Sequence, residues 1–155
     1  MRDSVTRFAD CTFGLPALTH EALGLVRCRP VCEIRVAILV EIVDDDEPVR
    51  DSLRALLECL GYQVDEYASG DVFLSNHSPE SKCIIMDQQM PGLEGLDVVE
   101  RLRTAGDQTP IIIITGRSDA TIEARAQALG LRVLHKPVND EELATNLEAH
   151  CRDSE

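Results

Sequence analysis

The chain has 155 residues, 28 of them Asp or Glu and 15 Lys or Arg, for a formal net charge of −13. That length suits one domain and can bury a core without disulfide staples. Residues 36–155 hold 24 of the acids against ten bases, so this part of the chain repels phosphate backbones and anionic membranes, which argues against direct nucleic-acid binding and membrane adhesion.

Residues 1–35 carry five Arg and four acids and do not fit the alternation that follows. They read as an N-terminal extension, either a poorly ordered tail or the product of a start codon placed too early. A short amphipathic helix near residues 17–26 is the other reading. The opening MRDSVTRFAD has charges of both signs and no apolar stretch, unlike a secretory signal. Cys11, His20, Cys28 and Cys32 match no common zinc-ligand spacing. The longest apolar runs are far too short to span a bilayer, and the expected compartment is the reducing cytoplasm.

From Ile38 onward two kinds of segment alternate. ILVEIV (38–43) is a short β-branched run and the first predicted strand. Val49, Leu53, Leu56, Leu57 and Leu60 then fall at helical spacing, with Pro48 suited to the first turn and Gly61 as the stop. YQVDEY (62–67) is a weaker, polar strand, and Ser69 can cap a helix running through Asn76. CIIM (83–86) is the third strand, and Leu96, Val99 and Leu102 mark a helix ending near Gly106. PIIIIT (110–115) is the fourth strand, followed by a helix with Ile122, Ala126 and Leu129 on one face and Gly130 at its end. RVLH (132–135) is the fifth strand, and Asn139 with Glu142 forms a capping box for a last helix bearing Leu143, Leu147 and Cys151. Cys59 and Cys83 sit inside apolar patterns and read as small core residues. His20, His77, His135 and His150 show no partner pattern and read as surface residues.

Five β–α repeats with strands apolar on both faces imply an α/β fold: a doubly wound five-stranded parallel sheet with helices on both faces. In the common order 2-1-3-4-5, ligands bind beyond the carboxyl ends of the strands, where the strand order reverses. Asp44, Asp45 and Asp46 follow the first strand, Asp87 ends the third, Thr115 the fourth, and Lys136 follows the fifth. Asp46 and Glu47 are read as a helix start, where negative charge is favourable. Two carboxylates about 5 Å apart repel by roughly 3 kcal/mol at an effective dielectric near 20. Lys136 supplies one positive charge, so a divalent cation is expected to supply the rest. Oxygen ligands select a hard ion, with Mg2+ the better choice. Such a centre suits phosphoryl transfer: Asp87 attacks phosphorus, Lys136 neutralises the equatorial oxygens, Thr115 donates a hydrogen bond, and Gly116 leaves room beside it.

The segments IVDDDEPVR, IIMDQQMPGLEG, IIIITG and HKPV resemble, in order and spacing, the four motif blocks of the receiver domain of two-component response regulators. The resemblance covers about residues 36–152 and implies a flavodoxin-like fold, with the receiver domain spanning 36–155. It implies that Asp87 is the phosphoacceptor, that Asp45 ligates Mg2+ directly and Asp44 mainly through water, and that the Gln89 carbonyl completes the protein ligands. It further implies that Thr115 and Lys136 bind the phosphoryl oxygens and that the Lys136–Pro137 bond is cis. The donor would be the phosphohistidine of a sensor histidine kinase or a histidine phosphotransfer protein.

Two positions depart from the family pattern. Val133 stands where an aromatic ring usually swings inward, and Val138 where Phe is usual. Gln89 and Arg117 occupy positions that tune dephosphorylation in the family. With the last predicted helix ending near Glu155, the expectation is a stand-alone receiver, not an enzyme, read out by protein–protein contact or by onward transfer. A constitutively binding pseudo-receiver is the first rival. An aspartyl-phosphate phosphatase would need an acid/base at Gln89, and a flavin binder would need a phosphate-cradling loop where the aspartates stand.

Overall fold

The computed structural model describes residues 38–152, with side chains described through residue 150. The readings placed on residues 1–35, and the side chain of Cys151, lie outside those residues. Ten elements alternate without exception: β1 (Leu39–Val43), α1 (Glu47–Cys59), β2 (Gln63–Tyr67), α2 (Gly70–Asn76), β3 (Cys83–Asp87), α3 (Gly95–Thr104), β4 (Ile111–Thr115), α4 (Ala120–Ala128), β5 (Arg132–His135) and α5 (Asp140–Arg152). The strands form one parallel sheet in the order β2-β1-β3-β4-β5, the predicted topology. No helix among the described residues is long and apolar enough to cross a membrane.

Local chemistry sets the helix ends. The Asp46 side chain accepts the Val49 N–H and Pro48 lies in the first turn of α1, while Gly61 beyond its end takes φ 90°. Ser69 caps α2 by accepting the Val72 N–H. Asn139 Oδ1 accepts the N–H groups of Glu141 and Glu142 at 2.8 and 3.2 Å, the Asn half of the expected capping box.

Every residue of β3 and β4 is buried, which explains their unbroken apolar runs. Alternate residues feed two cores. Val40, Ile42, Ile85, Ile112 and Ile114 face α1 and α5 and pack with Leu53, Leu57, Leu143 and Leu147. Val43, Ile84, Met86 and Ile113 face the other helices and pack with Phe73, Leu96, Val99 and Ala126. The edge strand β2 is only half-buried, hence its polar sequence.

Two expectations fail. Cys59 is exposed, whereas Cys83 is buried as expected. The buried stripe of α1 runs through Leu53 and Leu57, and a residue two places on from Leu57 points to the opposite side of the helix. His77 is not a surface residue: its side chain is 11% exposed and lies between two carboxylates. His135 is half exposed, as expected of a surface residue, and lies 3.6 Å from Glu123.

Candidate functional site

β1 and β3 are neighbours, with Val43 opposite Met86. The next residues, Asp44 just beyond β1 and Asp87 at the end of β3, therefore emerge side by side at the point where strand order reverses. The oxygens of Asp44, Asp45 and Asp87 come within 4.8 Å of one another. Asp44 and Asp87 are 1% and 3% exposed, while Asp45 faces solvent. β5 lies two strands from β3, yet Lys136 reaches across: its Nζ is 3.0 Å from Asp44 Oδ2 and 2.7 Å from Asp87 Oδ1. The Lys136 N–H donates to the Thr115 carbonyl at 2.9 Å, which fixes the root of that side chain against β4. The Lys136–Pro137 bond is cis, as expected.

The carboxylates are held in place by backbone donors. Asp44 Oδ1 accepts the Asp46 N–H at 2.8 Å, and Asp87 Oδ2 accepts the Gln89 N–H at 2.7 Å. Asp87 Oδ1 is fully buried and accepts no hydrogen bond of good geometry, leaving the Lys136 ammonium as its ion-pair contact. Burial pushes the Asp87 carboxyl above its ordinary value; Lys136 and the Gln89 N–H pull it down and Asp44 pushes it further up. Burial pulls the Lys136 ammonium down, but Asp87 and Asp44 outweigh it and hold the group above its ordinary value.

Thr115 is fully buried, and its Oγ1 accepts the Arg117 N–H at 3.1 Å and a hydrogen bond from Gln89 Nε2 at 3.3 Å. Gln89 Oε1 in turn accepts the Gly116 N–H at 3.3 Å. The space expected beside Gly116 is thus bounded by the Gln89 amide, which a Cβ at position 116 would approach to 3.3 Å. The cluster unites all six predicted site residues, Asp44, Asp45, Asp87, Gln89, Thr115 and Lys136.

Three supporting residues were not among the predicted site residues. Arg50, one turn into α1, donates from Nη1 to the Asp44 carbonyl at 2.6 Å. Gln88 is 1% exposed; its Oε1 accepts the Leu96 N–H at 3.0 Å and its Nε2 donates to Glu94 at 3.1 Å, tying the end of β3 to the start of α3. Gly95 sits under Asp87, where an added Cβ would lie 2.4 Å from the Asp87 carbonyl oxygen. Of these only Gly95 left a trace in the sequence, as part of the turn after Asp87. Gly95→Ala is expected to cost about 1–3 kcal/mol, because the clash is with backbone and cannot be relieved by a rotamer change. A lower urea midpoint at unchanged slope checks this; a wild-type midpoint contradicts it.

The description "response regulator receiver domain" fits residues 40–148 of the chain. The chain belongs to this family. It is 33% identical over 118 residues to the transcriptional regulatory protein FixJ of Bradyrhizobium diazoefficiens, covering 75% of this chain and 58% of that one. Among solved structures, response regulator StyR matches with a TM-score of 0.70 and 33% identity, covering 75% of this chain and 60% of that one. The Vibrio cholerae chemotaxis protein CheY4 matches with a TM-score of 0.64 and 26% identity, over 74% of this chain and 98% of that one. The chain spans about half the length of the curated relatives it matches. Receiver domains generally hold Mg2+ in an acidic pocket. The donor set of this receiver fits such an ion: three carboxylates close together, one of them with a buried oxygen short of hydrogen bonds.

Proposed function

We propose that this receiver accepts a phosphoryl group on Asp87 from the phosphohistidine of a sensor histidine kinase or histidine phosphotransfer protein. An Asp87 oxygen forms the new P–O bond as the P–N bond to the donor imidazole breaks. Lys136 neutralises charge on the transferring oxygens and Thr115 donates to one of them, once its hydroxyl proton leaves the Arg117 carbonyl, to which it donates at 3.1 Å. Asp44, Asp45, Asp87 and the Gln89 carbonyl would hold Mg2+, which supplies further charge neutralisation when bound. The observation that carries the reading is the Lys136 ammonium poised between Asp44 and Asp87, 3.0 and 2.7 Å away.

In this reading the domain works in the cytoplasm, turns over no substrate of its own, and is read out by protein–protein contact. The strongly acidic composition of residues 36–155 supports a protein partner over a nucleic acid. Incubation with radiolabelled acetyl phosphate and Mg2+ is expected to give one acid-stable, base-labile label per chain, abolished by EDTA. No label on the wild-type protein overturns the proposal. Val133 and Val138 favour the second reading, constitutive binding: both pack half-buried as aliphatics where the family uses rings. That reading requires equal partner affinity in wild type and Asp87→Ala.

A further inference from the structure

A second ionisable cluster lies toward the amino ends of the strands and shares no residue with the strand-end site. Glu41, in the middle of β1, is fully buried on the face covered by α2 and α3. Its Oε1 accepts the Tyr67 hydroxyl and the Ser78 N–H, each at 3.0 Å. Its Oε2 lies 2.6 Å from Nδ1 of His77, the residue that closes α2. The other ring nitrogen, Nε2, lies 2.6 Å from Asp107 Oδ2 in the connection between α3 and β4. That connection is itself braced: Asp107 Oδ1 accepts the Thr109 N–H at 2.7 Å, and Arg103 donates to the carbonyls of Asp107 and Thr109 at 2.8 and 3.0 Å.

A neutral imidazole has one donor and one acceptor, so it can hydrogen-bond only one of two carboxylates. Both contacts here are as short as charge-assisted hydrogen bonds. Both become hydrogen bonds when each ring nitrogen carries a proton, and the imidazolium then lies between two anions. We infer that His77 is a pH-sensitive clasp: as the cation it ties β1 to the α2–β3 and α3–β4 connections, and on losing a proton it must release one carboxylate.

The groups packed around the His77–Glu41 pair keep fixed charge states. Tyr67, facing Glu41 from β2, is pushed up to about 12, by burial first, then by Glu41 and by Asp65. It stays protonated throughout the range where histidines titrate, about pH 5 to 8. Burial raises the Asp107 carboxyl, but Thr109 and His77 outweigh it and hold the group below its ordinary value, so it stays ionised. Arg103, on α3, keeps its charge in this range. The ring of Phe73, on α2, packs 4.9 Å from the imidazole and adds no titratable group. An uncompensated carboxylate cannot easily remain at Glu41, which has no solvent access. Loss of the imidazole proton therefore weakens the tie as pH rises, and lowering the pH restores it.

The test uses the wild-type chain, because His77→Gln alone would not separate loss of the clasp from general damage. Side-chain nitrogen NMR at the acid end of a pH series is expected to show both His77 ring nitrogens protonated. Raising the pH should remove one proton and, in step, lower the protection of the Ser78 amide by about tenfold after correction for base catalysis. In His77→Gln that pH response should vanish while the acetyl phosphate label persists. A single neutral tautomer at the lower pH, or the same Ser78 response in both proteins, overturns the inference.

Discussion

Asp87→Asn is expected to stabilise the metal-free receiver by about 1–3 kcal/mol at neutral pH while abolishing its phosphoryl label. The wild-type carboxylate is buried, lies within 4.8 Å of two other acids, and shares one ammonium with Asp44. The amide keeps the shape and removes the charge, and Lys136 keeps Asp44 as its partner. The pH dependence has a definite sign. The folded Asp87 carboxyl lies above its ordinary value, so protonation favours the folded state. That contribution is fully present below the unfolded carboxylate value and is lost as pH rises through the folded one. The advantage of the Asn variant should therefore be small in acid and grow toward neutral pH. Urea unfolding in EDTA across that range measures it. Added Mg2+ should narrow the gap by stabilising the wild type more. An Asn variant less stable than wild type at neutral pH would overturn the expectation and show that the Lys136–Asp87 pair outweighs burial and repulsion.

The opposite change on the same cluster should have the opposite sign. Lys136→Met leaves Asp44 and Asp87 buried with no ammonium between them. Removing one partner from a buried ion pair typically costs about 3–5 kcal/mol, and partial exposure of the lysine, 30% of its side chain, reduces this to about 2–4 kcal/mol. The loss should shrink when Asp87→Asn is already present, because one of the two stranded anions is gone. A double-mutant cycle by urea unfolding gives that coupling directly. Additive effects would mean that Lys136 acts on stability through its aliphatic stem and not through its charge.

The fold was legible because each element carries its own period. β3 and β4 are buried on both faces and read as continuous runs; α1 shows its stripe at Leu53 and Leu57. Asp44, Asp45, Asp87, Thr115 and Lys136 were legible for a related reason: a parallel sheet delivers the carboxyl ends of its strands to one side, so positions distant in the chain can be placed together before any distance is known, whereas Gln89 came only from the family resemblance. What escaped depends on partners that no local pattern announces. Glu41 is one charge in an apolar run and was averaged into it, although its side chain is the hub of a buried network. His77 finds Glu41 and Asp107 only because β1 and the α3–β4 connection meet in space. Cys59 has a core-type side chain at a helical position that faces away from the core. Arg50 and Gln88 act through backbone groups, which a side-chain pattern does not reveal.

Val40 is aligned with Cys83 and Met86 with Ile113, so the middle of the sheet forms only after distant stretches of polypeptide find one another. Such non-local pairing is slow compared with helix growth. Meanwhile Ile111–Ile114 stands as an uncharged, proline-free, strongly β-prone segment, capped by Pro110 on one side only. Until helices cover both of its faces, it is the stretch through which two unfinished chains would first stick together.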